Sequence, residues 1–91
     1  MNLDKVFTKY EDSAHGWLEV SFEDLIDLGI QAKISNFSYI DSNKNLIYLE
    51  EDCDMTLFMK SYKEKYNKGL VYVVENNFEI HPIRELASYI N

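Results

Sequence analysis

The first half of the chain contains four short stretches of residues that favour strands, and in the first two of them apolar and polar positions alternate with a period of two. Alternation of this kind, in residues that favour extended backbone, is typical of half-buried strands. Turn-forming residues separate the stretches into two pairs, at Glu11–Ala14 and at Ser42–Asn45. The pattern therefore predicts two β-hairpins, with strands over Asp4–Tyr10, His15–Val20, Phe37–Asp41 and Leu46–Leu49.

A short helix is predicted directly after the first hairpin. Ser21 is a good N-cap for it, because a serine oxygen can accept a free N–H of the first turn. Glu23 and Asp24 place negative charge at the positive end of the helix dipole. Gly29 fits the left-handed residue that ends many helices, so the helix is expected to stop there.

A longer helix is predicted after the second hairpin, over Met55–Tyr66. Either Asp52 or Asp54 is expected to cap it, and Gly69 to close it. The prediction depends on a single apolar stripe at helical spacing. Its members are Met55, Phe58, Met59, Tyr62 and Tyr66.

The last third of the chain predicts a further strand pair and a third helix. Leu70–Val74 is apolar on both faces and is expected to be an interior strand covered by the second helix. Phe78–Ile80 is a candidate partner strand, and Pro82 can open a helix. The predicted order is ββαββαββα. It implies an α+β fold in one domain, residues 1–91, with a mostly antiparallel sheet of five to six strands and two to three helices on one face.

Composition supports a folded domain and narrows its chemistry. Hydrophobic residues make up 46% of the chain and aromatic residues 14%, more than a disordered chain usually contains. A single cysteine cannot form an internal disulfide or a Cys-rich zinc site. Neither a membrane span nor a signal peptide is visible in the sequence, so the expected location is the cytoplasm.

The net charge disfavours nucleic acid and membranes as direct partners. The chain carries a net charge of −7, and residues 1–54 hold twelve acidic against four basic residues. Proteins that bind nucleic acid or anionic membranes draw on an excess of Lys and Arg. Basic or neutral protein surfaces are therefore the expected partners, and no cofactor or metal is predicted.

The run Glu50–Asp54, with four acids in five residues, is the most conspicuous local feature. The first interpretation is a strand end followed by a helix start whose acids are solvated. The second is a contact with another protein. The third is a metal site, although the run lacks the ligand spacing and the glycine of a calcium loop. Cys53 lies within the run, where the carboxylates are expected to raise the pKa of its thiol.

An enzyme or a nucleotide-binding protein is an alternative. Catalysis would use His15, close to Trp17, together with Cys53, and the sequence leaves open whether these residues are functional or structural. A nucleotide site would need aromatic walls and a cation such as Lys33 or Arg84. The sequence has no Gly-rich phosphate loop, nucleophile elbow or paired-Cys zinc spacing, so a non-enzymatic role is favoured.

Three segments together resemble a family of small proteins found in bacteriophages and mobile elements. They are His15–Val20, Leu28–Ile30 with Ile34–Tyr39, and Tyr48–Asp54, the last of which is the most specific. The resemblance extends over about residues 5–66. It implies no catalytic residue. It implies a phage accessory protein made in the cytoplasm of an infected bacterium.

Small acidic phage proteins without catalytic motifs often act by occupying a host protein. The expected function is non-enzymatic inhibition of a host defence or nucleic-acid enzyme, such as a CRISPR effector or a restriction enzyme, through an acidic surface whose carboxylates stand in for phosphates. The alternative is an accessory protein that binds another phage or host protein without such mimicry. The residues expected to contact the partner are Glu19, Glu23, Asp24, Asp27, Glu50, Glu51, Asp52 and Asp54.

Overall fold

A computed structural model describes residues 5–76 and 82–90 of the chain. Within these ranges the chain forms six strands and two α-helices. The strands are β1 (Phe7–Glu11), β2 (Gly16–Ser21), β3 (Tyr39–Asp41), β4 (Leu46–Glu50), β5 (Tyr72–Asn76) and β6 (Ala87–Ser88). The helices are α1 (Phe22–Leu28) and α2 (Asp54–Tyr66), and a short 3₁₀-helix over Pro82–Glu85 precedes β6.

The strands form one mixed sheet in the order β5-β1-β2-β4-β3-β6. Both predicted hairpins are present, because β1 pairs with β2 and β3 pairs with β4 in antiparallel register. β2 and β4, one strand from each hairpin, pair antiparallel at the centre of the sheet. The α+β class is confirmed. The expected antiparallel arrangement fails for one pair, because β5 runs parallel to β1.

The predicted caps of α1 are confirmed. The hydroxyl of Ser21 accepts the N–H of Asp24, and the Asp24 carboxylate accepts the N–H of Ser21 in return, 3.0 Å away. This reciprocal pair satisfies two backbone donors at the start of the helix. Gly29 ends α1 in the left-handed region, with φ of 69°, where a side chain would be strained.

α2 buries Met55, Phe58 and Tyr62 of the predicted stripe and partly buries Met59 and Tyr66, but it begins and ends differently from the sequence expectation. Cys53 is the N-cap and makes no side-chain cap, so the prediction that Asp52 or Asp54 caps the helix is wrong. Asp54 is instead the first helical residue, and its carboxylate points away from the helix end to a neighbouring loop. Asn67, not Gly69, adopts the left-handed conformation that ends α2. Asparagine tolerates this conformation better than most residues.

Both helices pack on the same face of the sheet. Phe7 of β1 contacts two rings of α2, with centroid distances of 5.5 Å to Phe58 and 6.3 Å to Tyr62, both in edge-to-face geometry. Edge-to-face pairs of this kind add to the stabilisation from buried area. The main core consists of Phe7, Leu18, Val20, Leu25, Ile30, Ile34, Ile47, Leu49, Met55, Phe58, Tyr62 and Tyr89.

The other face of the sheet carries a smaller cluster. Trp17 of β2 and Tyr48 of β4 are buried there against Ile83, which the 3₁₀-helix supplies. Arg84 follows Ile83 and forms a two-pronged ion pair with Asp12, with distances of 2.9 Å from Nε and 3.1 Å from a terminal nitrogen. This pair attaches the C-terminal segment to the turn of the first hairpin, so the second face is partly covered without an α-helix.

Predictions for the last third of the chain need correction. Leu70–Val74 was expected in the interior of the sheet, but β5 lies at its edge, and the side chains of Val71, Val73 and Val74 are 52%, 53% and 46% exposed. A strand that is apolar on both faces usually lies in the interior of a sheet. The same run of apolar residues can also lie at an edge where its valines are exposed, and the sequence does not distinguish the two positions.

The predicted third helix is also wrong. Pro82 opens only the four-residue 3₁₀-helix, after which β6 pairs with β3. The pairing is reinforced by Tyr89, whose N–H donates to the carbonyl of Ser38 at 2.8 Å. Tertiary hydrogen bonds thus replace the helical ones. The predicted order ββαββαββα is therefore not observed, and the candidate strand Phe78–Ile80 lies outside the described residues.

Truncation of Phe58 tests the assignment of the core. The side chain is fully buried between α2 and β1, so Phe58→Ala should lower the free energy of unfolding by about 3–5 kcal/mol. The control is Ile26→Ala on α1, where the side chain is half exposed and the loss should stay below about 1 kcal/mol. Urea denaturation measures both. Equal losses in the two variants would contradict the assignment.

Candidate functional site

A cleft of about 310 Å³ opens on the face of the sheet that the helices leave uncovered. Its aromatic wall consists of Trp17, Tyr39 and Phe37. The rings of Trp17 and Tyr39 lie 6.2 Å apart in edge-to-face geometry, because β2 and β3 both pair with β4. Trp17 is buried at the base, whereas Phe37 is 67% exposed at the mouth. The wall thus offers ring surface to a molecule that enters from solvent.

Charged groups border the aromatic wall. Glu50 lies directly opposite Trp17 across the β2–β4 pair, and Asp52 and Cys53 follow it in the turn before α2. Asp52 is exposed. The Glu50 carboxylate accepts the N–H of Cys53 at 3.0 Å, which holds this turn against the strand end. The side of the cleft formed by the turn therefore carries negative charge.

One cation also lines the cleft. The guanidinium of Arg84 lies 5.7 Å from the centroid of the Trp17 ring, in a cation–π arrangement. Its charge is paired with Asp12, whose carboxylate is fully buried. Arg84 is therefore part of the wall and contributes little free positive charge to an entering group.

The exposed position of Phe37 depends on a buried carboxylate. Asp54 accepts hydrogen bonds from the backbone N–H of Ser35 and from the hydroxyls of Ser35 and Ser38. The Ser38 hydroxyl in turn accepts the N–H of Glu50 at 2.9 Å. The loop before β3 is thereby fixed to both α2 and β4, and Phe37 lies in that loop. This role could not be predicted from the sequence, because the serine spacing alone does not indicate a distant acid.

The thiol and imidazole proposed for catalysis both line the cleft. Cys53 and His15 are exposed there, and the His15 ring lies 6.0 Å from that of Trp17. Loss of hydration and the negative charges of Glu50, Asp54 and Asp52 raise the pKa of the Cys53 thiol. A raised pKa lowers the thiolate fraction at neutral pH, which disfavours Cys53 as a nucleophile.

The structure divides the predicted acidic surface into two parts. Glu50 lies opposite Trp17 in the register of β2 and β4, at one end of these central strands. α1 begins at the other end, where Ser21 lies opposite Leu46. Glu50 and Asp52 line the cleft. The predicted contact residues Glu23, Asp24 and Asp27 lie on α1, far from them along the strands.

Three other predicted contact residues from the acidic surface have internal partners. Glu51 pairs with Lys9 at 2.8 Å, and Asp54 is buried. Glu19 lies on the face opposite the helices, where burial together with its charge and hydrogen bonding raises the pKa of Tyr48. These carboxylates neutralise or orient groups of the same chain, which leaves them less available to an external partner.

The carboxylates of α1 are also engaged within the chain. Asp24 is buried and pairs with Lys5 at 2.7 Å, and Glu23 accepts hydrogen bonds from the amide of Asn45 at 2.8 and 3.0 Å. Asp27 accepts a hydrogen bond from the hydroxyl of Tyr66, which lowers the pKa of Asp27 and raises that of Tyr66 to about 12. The helix acids hold α1 to its neighbours.

Comparison with protein-family models, with curated proteins and with solved structures finds no match for this chain. Neither helix in the described part of the chain has the length and apolar character needed to cross a bilayer. Within residues 5–76 and 82–90, no group of three or more His, Cys, Asp or Glu side chains is arranged to hold a metal ion.

Neutralising Asp54 should destabilise the fold, whereas neutralising Asp52 should not. Asp54→Asn presents amide hydrogens to the donors of Ser35 and Ser38, so a loss of about 1–3 kcal/mol in the free energy of unfolding is expected. Asp52→Asn removes the same charge from an exposed position and should change it by less than about 0.5 kcal/mol. Similar losses, measured by urea denaturation, would contradict the assigned role of Asp54.

The Cys53 thiol should react slowly for an exposed cysteine. The thiolate is the form that reacts with iodoacetamide, and the raised pKa of Cys53 means that it forms at higher pH than in a free cysteine. The alkylation rate should therefore rise mainly at a pH above the pKa of a free cysteine. Asp52→Asn removes one neighbouring negative charge and should shift the pH profile of the alkylation rate to lower pH. A profile centred below that of free cysteine would contradict the assignment and support a nucleophilic role.

Proposed function

We propose that this chain is a non-enzymatic binding protein of phage type that inhibits a host defence or nucleic-acid enzyme, such as a CRISPR effector. The observation that supports this proposal is the aromatic cleft bordered by Glu50 and Asp52. Such a cleft is suited to a basic side chain that projects from the nucleic-acid-binding surface of the enzyme. Occupation of that surface would exclude the nucleic acid.

The cleft combines the two kinds of group that recognise a guanidinium. Arginine stacks on aromatic faces and forms forked hydrogen bonds with carboxylates. Arg84 already shows the first interaction within the chain, on the Trp17 ring. Phe37 and Tyr39 offer further ring surface, and Asp52 offers an exposed carboxylate at the same opening. An arginine from a partner can therefore insert between ring and carboxylate.

The overall charge adds a long-range contribution to this recognition. A protein of net charge −7 is attracted to the positive groove of a nucleic-acid enzyme and repelled by the nucleic acid itself. This attraction favours encounter, while the cleft supplies the specific contact. The proposal differs from mimicry by a whole acidic face, because most of the predicted contact acids have partners within the chain.

The proposal is tested by identifying a host partner and then measuring competition. The purified chain is used to capture proteins from a lysate of phage-infected host bacteria, and mass spectrometry identifies them. The expected partner is a nuclease or CRISPR subunit whose binding to nucleic acid is lost as the chain is added. A captured phage structural protein, or a partner that binds the chain and nucleic acid together, would overturn the inhibitory function and support the alternative accessory role.

Matched single substitutions localise the contact to the cleft. Asp52→Asn should weaken binding to the captured enzyme by about tenfold, equivalent to about 1.4 kcal/mol. Glu64→Gln removes one charge from an exposed position on α2 and should have little effect. Phe37→Ala should also weaken binding, because it removes an exposed aromatic anchor. Equal affinities for the Asp52 and Glu64 variants at low salt would contradict a contact through the cleft.

A further inference from the structure

β5 is an edge strand of the sheet. It is five residues long and pairs with β1 on one side, and within the described part of the chain no strand lies on its other side. Natural edge strands are usually protected by lysine, proline, a bulge or short length. β6, at the opposite edge, is two residues long. β5 has no such protection, since Glu75 is its one charged residue.

The direction of the outer backbone groups follows from the pairing with β1. The N–H of Phe7 donates to the carbonyl of Val71, so the polar backbone groups of Val71, Val73 and Glu75 face β1. Backbone groups alternate in direction along a strand. Those of Tyr72 and Val74 therefore point outward from the sheet. An incoming strand would find alternate donors and acceptors in regular order.

We propose that β5 pairs antiparallel with β5 of a second copy of this chain, which joins two sheets into one across a twofold axis. This inference is independent of the proposed function. A second copy fits this edge because its β5 brings the same half-exposed Val73 and Val74 with one charged residue, and in this arrangement outward groups of Tyr72 meet outward groups of Val74 from the other strand. Each copy supplies the partner that the other needs.

The register that satisfies both backbone and side chains is centred on Val73. It places Val73 opposite Val73 of the second copy, in a pair that is not hydrogen-bonded, and Tyr72 opposite Val74 in a hydrogen-bonded pair. Val73 and Val74, about half exposed in the single chain, become apolar cross-strand neighbours of Val73 and Tyr72 of the second copy, one on each face of the joined sheet, whereas Val71 lies opposite Glu75. Burial of these side chains stabilises the pair.

Charge also favours this arrangement. Two copies of net charge −7 repel each other generally, so contact is favoured where acidic residues are few, and β5 is such a segment. In the antiparallel register the two Glu75 side chains lie four residues apart along the strands, about 13 Å. This separation exceeds the Debye length at physiological salt, so salt largely screens the repulsion between them. A parallel pairing would place Glu75 beside Glu75, which is destabilising.

Sedimentation equilibrium tests the dimer. The wild-type chain should show a concentration-dependent dimer, and Val73→Lys should raise its Kd by at least tenfold by placing two lysines face to face. Ile26→Lys introduces the same side chain at a half-exposed position on α1 and should dimerise as the wild type does. A wild-type chain that stays monomeric up to about 1 mM would overturn the proposal, as would equal dimerisation of the two lysine variants.

Disulfide trapping tests the register, in a Cys53→Ser background that removes the exposed native thiol. Val73→Cys places two thiols across a pair that is not hydrogen-bonded, where Cα atoms lie about 4.5 Å apart and a disulfide forms readily. Val71→Cys has the same exposure but puts the two thiols about 13 Å apart, too far to bridge. Mild oxidation should therefore crosslink the first variant and not the second. Equal yields would contradict the register.

Hydrogen exchange of a monomeric sample tests whether the outer edge of β5 is open. The amides of Tyr72 and Val74, which point outward, should exchange quickly. Slow exchange would show that another segment of the same chain covers this edge and would overturn the proposal.

Discussion

The buried carboxylate of Asp54 connects the start of α2 to the loop before β3, which lies 16 to 19 residues earlier in the chain. It accepts hydrogen bonds from Ser35 and Ser38, and the Ser38 hydroxyl also receives the N–H of Glu50. The start of α2, the loop before β3 and the end of β4 are thus held together around one charge. A buried carboxylate is tolerated because several donors replace its water. The mouth of the cleft depends on this arrangement, since it fixes the loop that carries Phe37.

The two faces of the sheet are stabilised in different ways. α1 and α2 cover one face with apolar side chains, and edge-to-face contacts of Phe7 with α2 add to the burial. The other face is covered in part by the Ile83 side chain and the ion pair of Arg84 with Asp12. A short segment cannot cover a six-stranded sheet, so aromatic surface stays accessible there. The cleft is the consequence of this incomplete cover, and its acidic border follows from the turn that leads into α2.

Many of the acidic side chains form ion pairs or hydrogen bonds within the fold. Lys9 bridges Glu11 and Glu51 over the buried Gly16, and although burial disfavours its charge, hydrogen bonds with both carboxylates raise the pKa of Lys9. A side chain at Gly16 would collide with this bridge, within 2.9 Å of both Lys9 and Glu51. Net charge is therefore a poor guide to the contact surface. Of the four acids in the run Glu50–Asp54, Asp52 is the one that the fold leaves exposed.

Local features of this protein are determined by the sequence alone, because they depend on neighbours within a few residues. The capping pair of Ser21 and Asp24, the left-handed Gly29 and the two hairpins belong to this group, as does the stripe of α2, whose spacing places it on one side of any helix. Part of the candidate site could also be predicted, since Glu50 and Asp52 lie in the conspicuous acidic run. The remaining features were decided by tertiary structure. The position of β5 beside β1, the role of Asp54 and the short 3₁₀-helix at Pro82 each depend on a partner distant in the chain. A pattern of apolar and polar residues predicts which side chains are buried or charged. The residues that those side chains contact are decided only when the chain folds and brings distant segments together.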